Sequence, residues 1–101
     1  MLLYNVTVKI DRSIQEDWLQ WMRSTHIPKM KRDGQFIGHR ICRLLGTDES
    51  DGFTYAVQYL SPDKSVFRTF QLEQKDKMEA AMMKRFPNQF VHFSSLLEIL
   101  E

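Results

Sequence analysis

Residues 36–60 read FIGHRICRLL, then GTDESDG, then FTYAVQYL. The outer runs are rich in β-branched and aromatic residues, and two glycines bracket an acidic, polar loop between them. That pattern predicts a hairpin of two strands, 36–45 and 53–60. Upstream, Leu2, Tyr4, Val6, Val8 and Ile10 alternate with Leu3, Asn5, Thr7 and Lys9, which predicts a strand with one apolar and one mostly polar face. Between these strands, Ser13-Ile14-Gln15-Glu16 has the form of a capping box. It opens a helix whose inward stripe is Ile14, Trp18, Trp21, Met22 and Thr25, with Leu19 and His26 on its edge. Pro28 is expected to end or kink that helix. Downstream, Ser61-Pro62-Asp63 predicts an N-cap with proline at the first helical position. The second helix, to Arg85, carries Val66, Phe67, Phe70, Met78, Ala81 and Met82 on one face. Gln74 interrupts this stripe and places a bend near Glu73-Gln74, while Leu72 and Met83 fall off it. Phe90 to Leu100 reads as a final strand.

The order β-α-β-β-α-β predicts an α+β, ferredoxin-like sandwich: a four-stranded antiparallel sheet with two helices on one face, as a single domain over residues 1–101. A chain of 101 residues with seven Phe, three Tyr, two Trp and six Met builds one core without staples. Fourteen basic against thirteen acidic residues leave no global field for nucleic acid or an anionic membrane. One cysteine, Cys42, forms no intrachain disulfide and fits a reducing compartment. With no long apolar run and no signal-like start, the expected location is the cytoplasm.

The two sheet faces decide where a site can lie. The helices are expected to cover Tyr4, Val6, Val8 and Ile10, then Tyr55, Val57 and Tyr59, and from the last strand Val91, Phe93, Leu97 and Ile99. The open face then carries Asn5, Thr7, Gln58, His92, Ser94 and Glu98 among several leucines. In the second strand, Phe36, Gly38, Arg40, Cys42 and Leu44 share one face, and Ile37, His39, Ile41, Arg43 and Leu45 the other. Polarity favours the latter set on the open face; a shift of one residue exchanges His39 and Arg43 for Arg40 and Cys42. A face this mixed is covered most simply by a second copy, a homodimer packed sheet to sheet.

Tyr4-Asn5-Val6-Thr7-Val8, Trp18-Leu19-Gln20-Trp21-Met22, His26-Ile27-Pro28, Arg40-Ile41-Cys42-Arg43-Leu44-Leu45, Thr54-Tyr55-Ala56-Val57-Gln58-Tyr59 and Leu96-Leu97-Glu98-Ile99-Leu100 together resemble a family of short bacterial proteins classed as a domain of unknown function. The resemblance covers essentially the whole chain. It implies a dimeric α/β barrel and no established activity. More distantly, the chain is similar to antibiotic-biosynthesis-type monooxygenases, haem-degrading monooxygenases and EthD-like proteins. Asn5 matches the first-strand pocket asparagine of the monooxygenases, and Trp18 or Trp21 with His26 and Pro28 matches the EthD-like pattern. The second helix has no histidine to ligate haem iron, so haem degradation is not implied.

Each candidate residue has a structural reading beside its functional one. His26 is a general acid or base, or a helix-end cap ahead of Pro28. Asn5 stabilises an oxyanion, or pairs only with Gln58 or Thr7. Arg43 and His39 bind a carboxylate or enolate, or Arg43 makes a salt bridge to Glu98 of a second copy or another carboxylate. Trp18, Trp21 and the Met82-Met83 pair read as packing. The scattered His26, His39 and His92 match no metal spacing, and no cofactor is expected. Lys29, Lys31, Arg32 and Arg23 form a local basic patch that reads as a solvated helix end.

Three functions follow. The leading one is a homodimeric protein binding a small, partly aromatic or anionic ligand through Asn5, Thr7, His26, His39, Arg43 and Gln58. The second is a cofactor-independent monooxygenase or isomerase on a phenol- or quinone-like substrate, with Asn5 and His26 catalytic. The third is a purely structural dimerisation module with a filled cleft.

Overall fold

The computed structural model describes residues 1–101. Strand β1 spans Leu2–Ile10, and after a 3-10 turn at Arg12–Ile14 helix α1 runs over Gln15–Trp21. A π-helical stretch, Met22–His26, joins it without a break to α2, Ile27–Asp33. Then come β2, Gly38–Arg43, β3, Phe53–Ser61, the helices α3, Lys64–Glu73, and α4, Lys75–Arg85, and finally β4, Phe90–Glu98. The strands form one antiparallel sheet in the order β2-β3-β1-β4, the ferredoxin-like arrangement that the element order predicts.

Three helix ends differ from the sequence reading. Ser13 makes no capping hydrogen bond. Pro28 does not end the first helix, because the π-helical stretch absorbs it: the Ile27 N–H donates to the Met22 carbonyl, five residues back, and α2 continues from there. At α3 the cap is Asp63, whose carboxylate accepts from the Val66 N–H at 2.9 Å, while Pro62 stays outside the helix. The expected break at Gln74 separates α3 from α4.

The core lies between the helices and one sheet face. Tyr4, Tyr59, Phe36, Phe67 and Phe70 form an aromatic cluster with ring centroids 4.9–6.3 Å apart. Trp18 is wholly buried beside Tyr55.

The faces of both outer strands are the reverse of the sequence expectation. In β4, Phe90, His92, Ser94 and Leu96 stand opposite Ile10, Val8, Val6 and Tyr4 and so share the helix side. Val91, Phe93 and Leu97, expected in the core, lie on the open face and are 68%, 65% and 48% exposed. This register starts at the turn: Asn88 takes a left-handed conformation, φ 58°, and the Asp11 N–H donates to the Gln89 carbonyl at 2.9 Å.

In β2, the pairs His39 with Tyr59, Ile41 with Val57 and Arg43 with Tyr55 place those three residues on the helix side. Gly38, Arg40 and Cys42 take the open face. Phe36 is buried in the aromatic cluster, yet alternation does not carry from it into the strand, which begins only at Gly38 after Gln35 at φ 57°. The irregular segment at Phe36–Ile37 shifts the parity by one.

Candidate functional site

The helix side holds an interior pocket bounded by β1, β3, β4, the π-helical stretch, α2, α3 and α4. Its walls include Tyr4, Val8, Tyr59 and Phe70, and four methionines, Met22, Met30, Met78 and Met82. The cavity is about 40 Å³, room for a few waters. Lys75, Glu79 and His92 stand at its polar end, beside β4, with His92 Nε2 3.7 Å from Glu79 Oε1. Thioether side chains are flexible and repack easily, and four of them line this space.

His26 is a buried polar group in the pocket wall. It is only 6% exposed and stacks on Trp21, with centroids 4.7 Å apart at 24°. Burial, and to a lesser degree the Lys29 charge, lower its pKa to about 4, so the imidazole is neutral at pH 7. It reaches the pocket because Met22 and His26, four residues apart, share one helix face, and both are buried. π-helical stretches such as Met22–His26 recur at functional sites. Burial also raises the pKa of Tyr4, with Ser94 opposing, and that of Tyr59, where Tyr4 adds to the effect; both phenols stay protonated donors.

The other sequence-predicted site residues do not join His26. Asn5, Thr7 and Gln58 lie on the open face, opposite the pocket-lining Tyr4, Val6, Val57 and Tyr59. There Asn5 donates to the Thr7 hydroxyl at 3.2 Å and accepts from Gln58 Nε2 at 3.3 Å, the pairing of its structural reading. Asn5 and His26 are thus separated by the sheet, and one molecule bound within a single chain cannot touch both. Arg43 is engaged in the hairpin: its guanidinium grips both carboxylate oxygens of Glu49 at 2.8–3.1 Å and lies 4.8 Å over the Phe53 ring. Within the chain its carboxylate partner is Glu49, the salt bridge to another carboxylate that its structural reading allows. His39 is exposed on the edge strand β2, away from the pocket.

Sequence reasoning missed Tyr4, Glu79 and His92 as pocket residues. Tyr4 reads as core, and His92 falls on the wrong side because both sets of alternating positions in β4 contain large apolar residues. The only early signal was methionine content, four of the six lining one space.

Residues 1–100 match a family model described as a domain of unknown function, DUF4286. No curated protein matches the sequence. Among solved structures, the chain is similar to a dimeric ferredoxin-like protein from an uncultured marine organism, at 13% identity, TM-score 0.65 and 99% and 95% coverage of the two chains. A protein described as a putative antibiotic biosynthesis monooxygenase from Deinococcus radiodurans matches at 13% identity, TM-score 0.66, with 100% and 94% coverage. An ethyl tert-butyl ether (EthD) family protein from Bacillus halodurans matches at 13% identity, TM-score 0.64, with 99% and 100% coverage. At these identities the likeness shows the fold. No helix of the chain is long and apolar enough to cross a membrane.

Proposed function

We propose, for a chain that belongs to the DUF4286 family, that it binds a small, flat, largely apolar molecule in the pocket between helices and sheet. A homodimer closes over the open sheet face. The observation that carries the reading is His26: a buried, neutral imidazole on a π-helical stretch, facing a methionine-lined space. It supplies one donor and one acceptor to a ligand hydroxyl or carbonyl, while the apolar walls take a ring. The small resting volume requires the methionines to move on binding, and thioethers do so at low cost. Dimerisation is supported by the exposed Val91, Phe93 and Leu97 around the Asn5–Gln58 pair, and by the dimeric state named for the marine structure.

A second reading, a cofactor-independent monooxygenase or isomerase on a phenol- or quinone-like substrate, rests on the same imidazole and on the fold's monooxygenase-type neighbour. In that reading His26 moves the proton without Asn5. An imidazole with pKa about 4 is a weak base at pH 7, which favours binding over proton abstraction.

The test is thermal-shift screening with phenols, hydroxyquinones and aromatic acids, followed by oxygen uptake for any binder. Binding predicts stabilisation of wild type that His26→Gln weakens and Met78→Trp, which fills the pocket, abolishes. Stabilisation that survives Met78→Trp, or none from any compound, refutes the pocket as the site.

A further inference from the structure

A second concavity lies on the outer side of His26. It runs between the continuous helix Gln15–Asp33 and α4, is about 360 Å³ and opens to solvent. His26 and Trp21 form its inner wall, with Lys29, Lys84 and Arg85 around it. His26 is the one residue that lines both this cleft and the interior pocket. Along α4, Met82 faces the interior while Ala81, Lys84 and Arg85 line the cleft. The small Ala81 side chain leaves the space open.

The cleft is cationic and carries no acidic side chain. Lys29, Lys84 and Arg85 form no ion pair. The Arg85 guanidinium lies flat over Phe86, 4.4 Å from its centroid, with its edge left free for an anion. Asp33, the nearest carboxylate along α2, is held by Arg32 at 3.0 Å. The interior pocket's own charged lining, Lys75 and Glu79, is opposite in sign and offers an anion no such concentration of positive charge. A largely apolar interior and a basic vestibule therefore meet at His26, which stacks on Trp21.

We propose that this cleft binds the carboxylate of an amphiphilic aromatic acid whose ring enters the interior pocket, with the His26–Trp21 stack as the movable partition. The inference rests on the ligand-binding reading above and adds the chemical class and polarity of the ligand. Lys29, Lys84 and Arg85 receive the anion, and the methionines receive the ring. The neutral imidazole gives the partition no charge to drag through the apolar space as it moves.

The probes are 4-phenylbutyrate and its uncharged counterpart 4-phenylbutanamide, titrated by calorimetry into wild type and into a Lys29→Gln/Lys84→Gln/Arg85→Gln variant. All three substituted residues are exposed, so the fold is retained. The acid is expected to bind wild type about tenfold more tightly than the amide, a ratio that falls towards one in the variant while amide affinity holds. Added salt erases the same difference. Equal affinity for acid and amide in wild type, or a preference that survives the variant, overturns the vestibule and leaves the interior pocket standing. Binding of neither compound overturns this inference and counts against the pocket as well.

Discussion

Protonating His26 is expected to destabilise this protein from within. The imidazole has pKa about 4 in the fold against 6.5 as a free side chain, so the folded state excludes a proton that the unfolded chain accepts. The stability tied to the neutral ring is complete above pH 6.5 and is lost as pH falls towards 4. Two and a half units correspond to about 3 kcal/mol, of which about 2 kcal/mol is gone by pH 5. With a urea dependence of about 2 kcal/mol per molar for a chain of this size, the midpoint drops by about 1 M between pH 7 and pH 5. The assay is urea unfolding followed by tryptophan fluorescence at fixed protein concentration, for wild type and His26→Gln. Glutamine keeps polar atoms in place and removes the titration, so its midpoint is expected to move far less. His39, also lowered by its surroundings, contributes with the same sign in both proteins and cancels in the difference. Asp33, Asp48 and Asp63, lowered by their hydrogen bonds, lose their contributions only below the ordinary carboxylate range. Equal losses in wild type and His26→Gln would refute the reasoning, as would a wild-type midpoint flat from pH 7 to 5.

Phe93→Glu places a carboxylate on the open face and is expected to weaken self-association by about a hundredfold or more, read as mass by light scattering across a dilution series. Asn5→Ala is expected to lower dimer stability and leave binding in the interior pocket unchanged, because the sheet separates the two; calorimetry with the best binder decides it. Phe70→Ala removes a ring that is 1% exposed and touches Tyr4, Phe36 and Phe67, and is expected to cost about 3–5 kcal/mol in denaturant unfolding. In Gly52→Ala the new methyl would stand 2.6 Å from the Ile10 carbonyl oxygen, so a loss of about 1–3 kcal/mol is expected by thermal unfolding.

The element order was legible because each signal is local: alternation in residues 2–10, glycines around residues 46–52, and a break at Gln74. Which face an outer strand presents was not. In β4, Phe90, His92 and Leu96 compete with Val91, Phe93 and Leu97, and hydrophobicity does not choose between them. What chooses is the chain reversal at Asn88 and, on the proposed assembly, a second copy that covers the exposed set. In β2, polarity pointed to Arg43, but parity is lost at Phe36–Ile37, where a core aromatic leaves the strand's alternation. Among the candidate site residues, His26 stood out by its place on the stripe edge beside Pro28. Its environment was beyond reach, since the pocket walls come from three strands and from helices far apart in sequence. Asn5 and Arg43, equally suited to catalysis by their chemistry, are in the structure partly engaged with Thr7, Gln58 and Glu49.

The π-helical stretch also sets where the first helix can yield. Each residue advances an α-helix by about 100°, so a uniform helix of this sequence could not direct Trp18 and Met22 on one side of Thr25 and Ile27 and Met30 on the other into the same core; the wider turn takes up one extra residue. That residue works as a slip joint: the segments before and after it are pinned by separate buried anchors, and the slack lies between them. Ser24 already draws on it, donating its hydroxyl to the Gln20 carbonyl at 2.8 Å. A ring passing between vestibule and interior therefore disturbs five residues of looser turn, and the helix on either side keeps its seat. Deleting one of residues 23–25 would make the helix regular with Ile27 and Met30 still facing the core, and so would remove the slack without unseating either anchor.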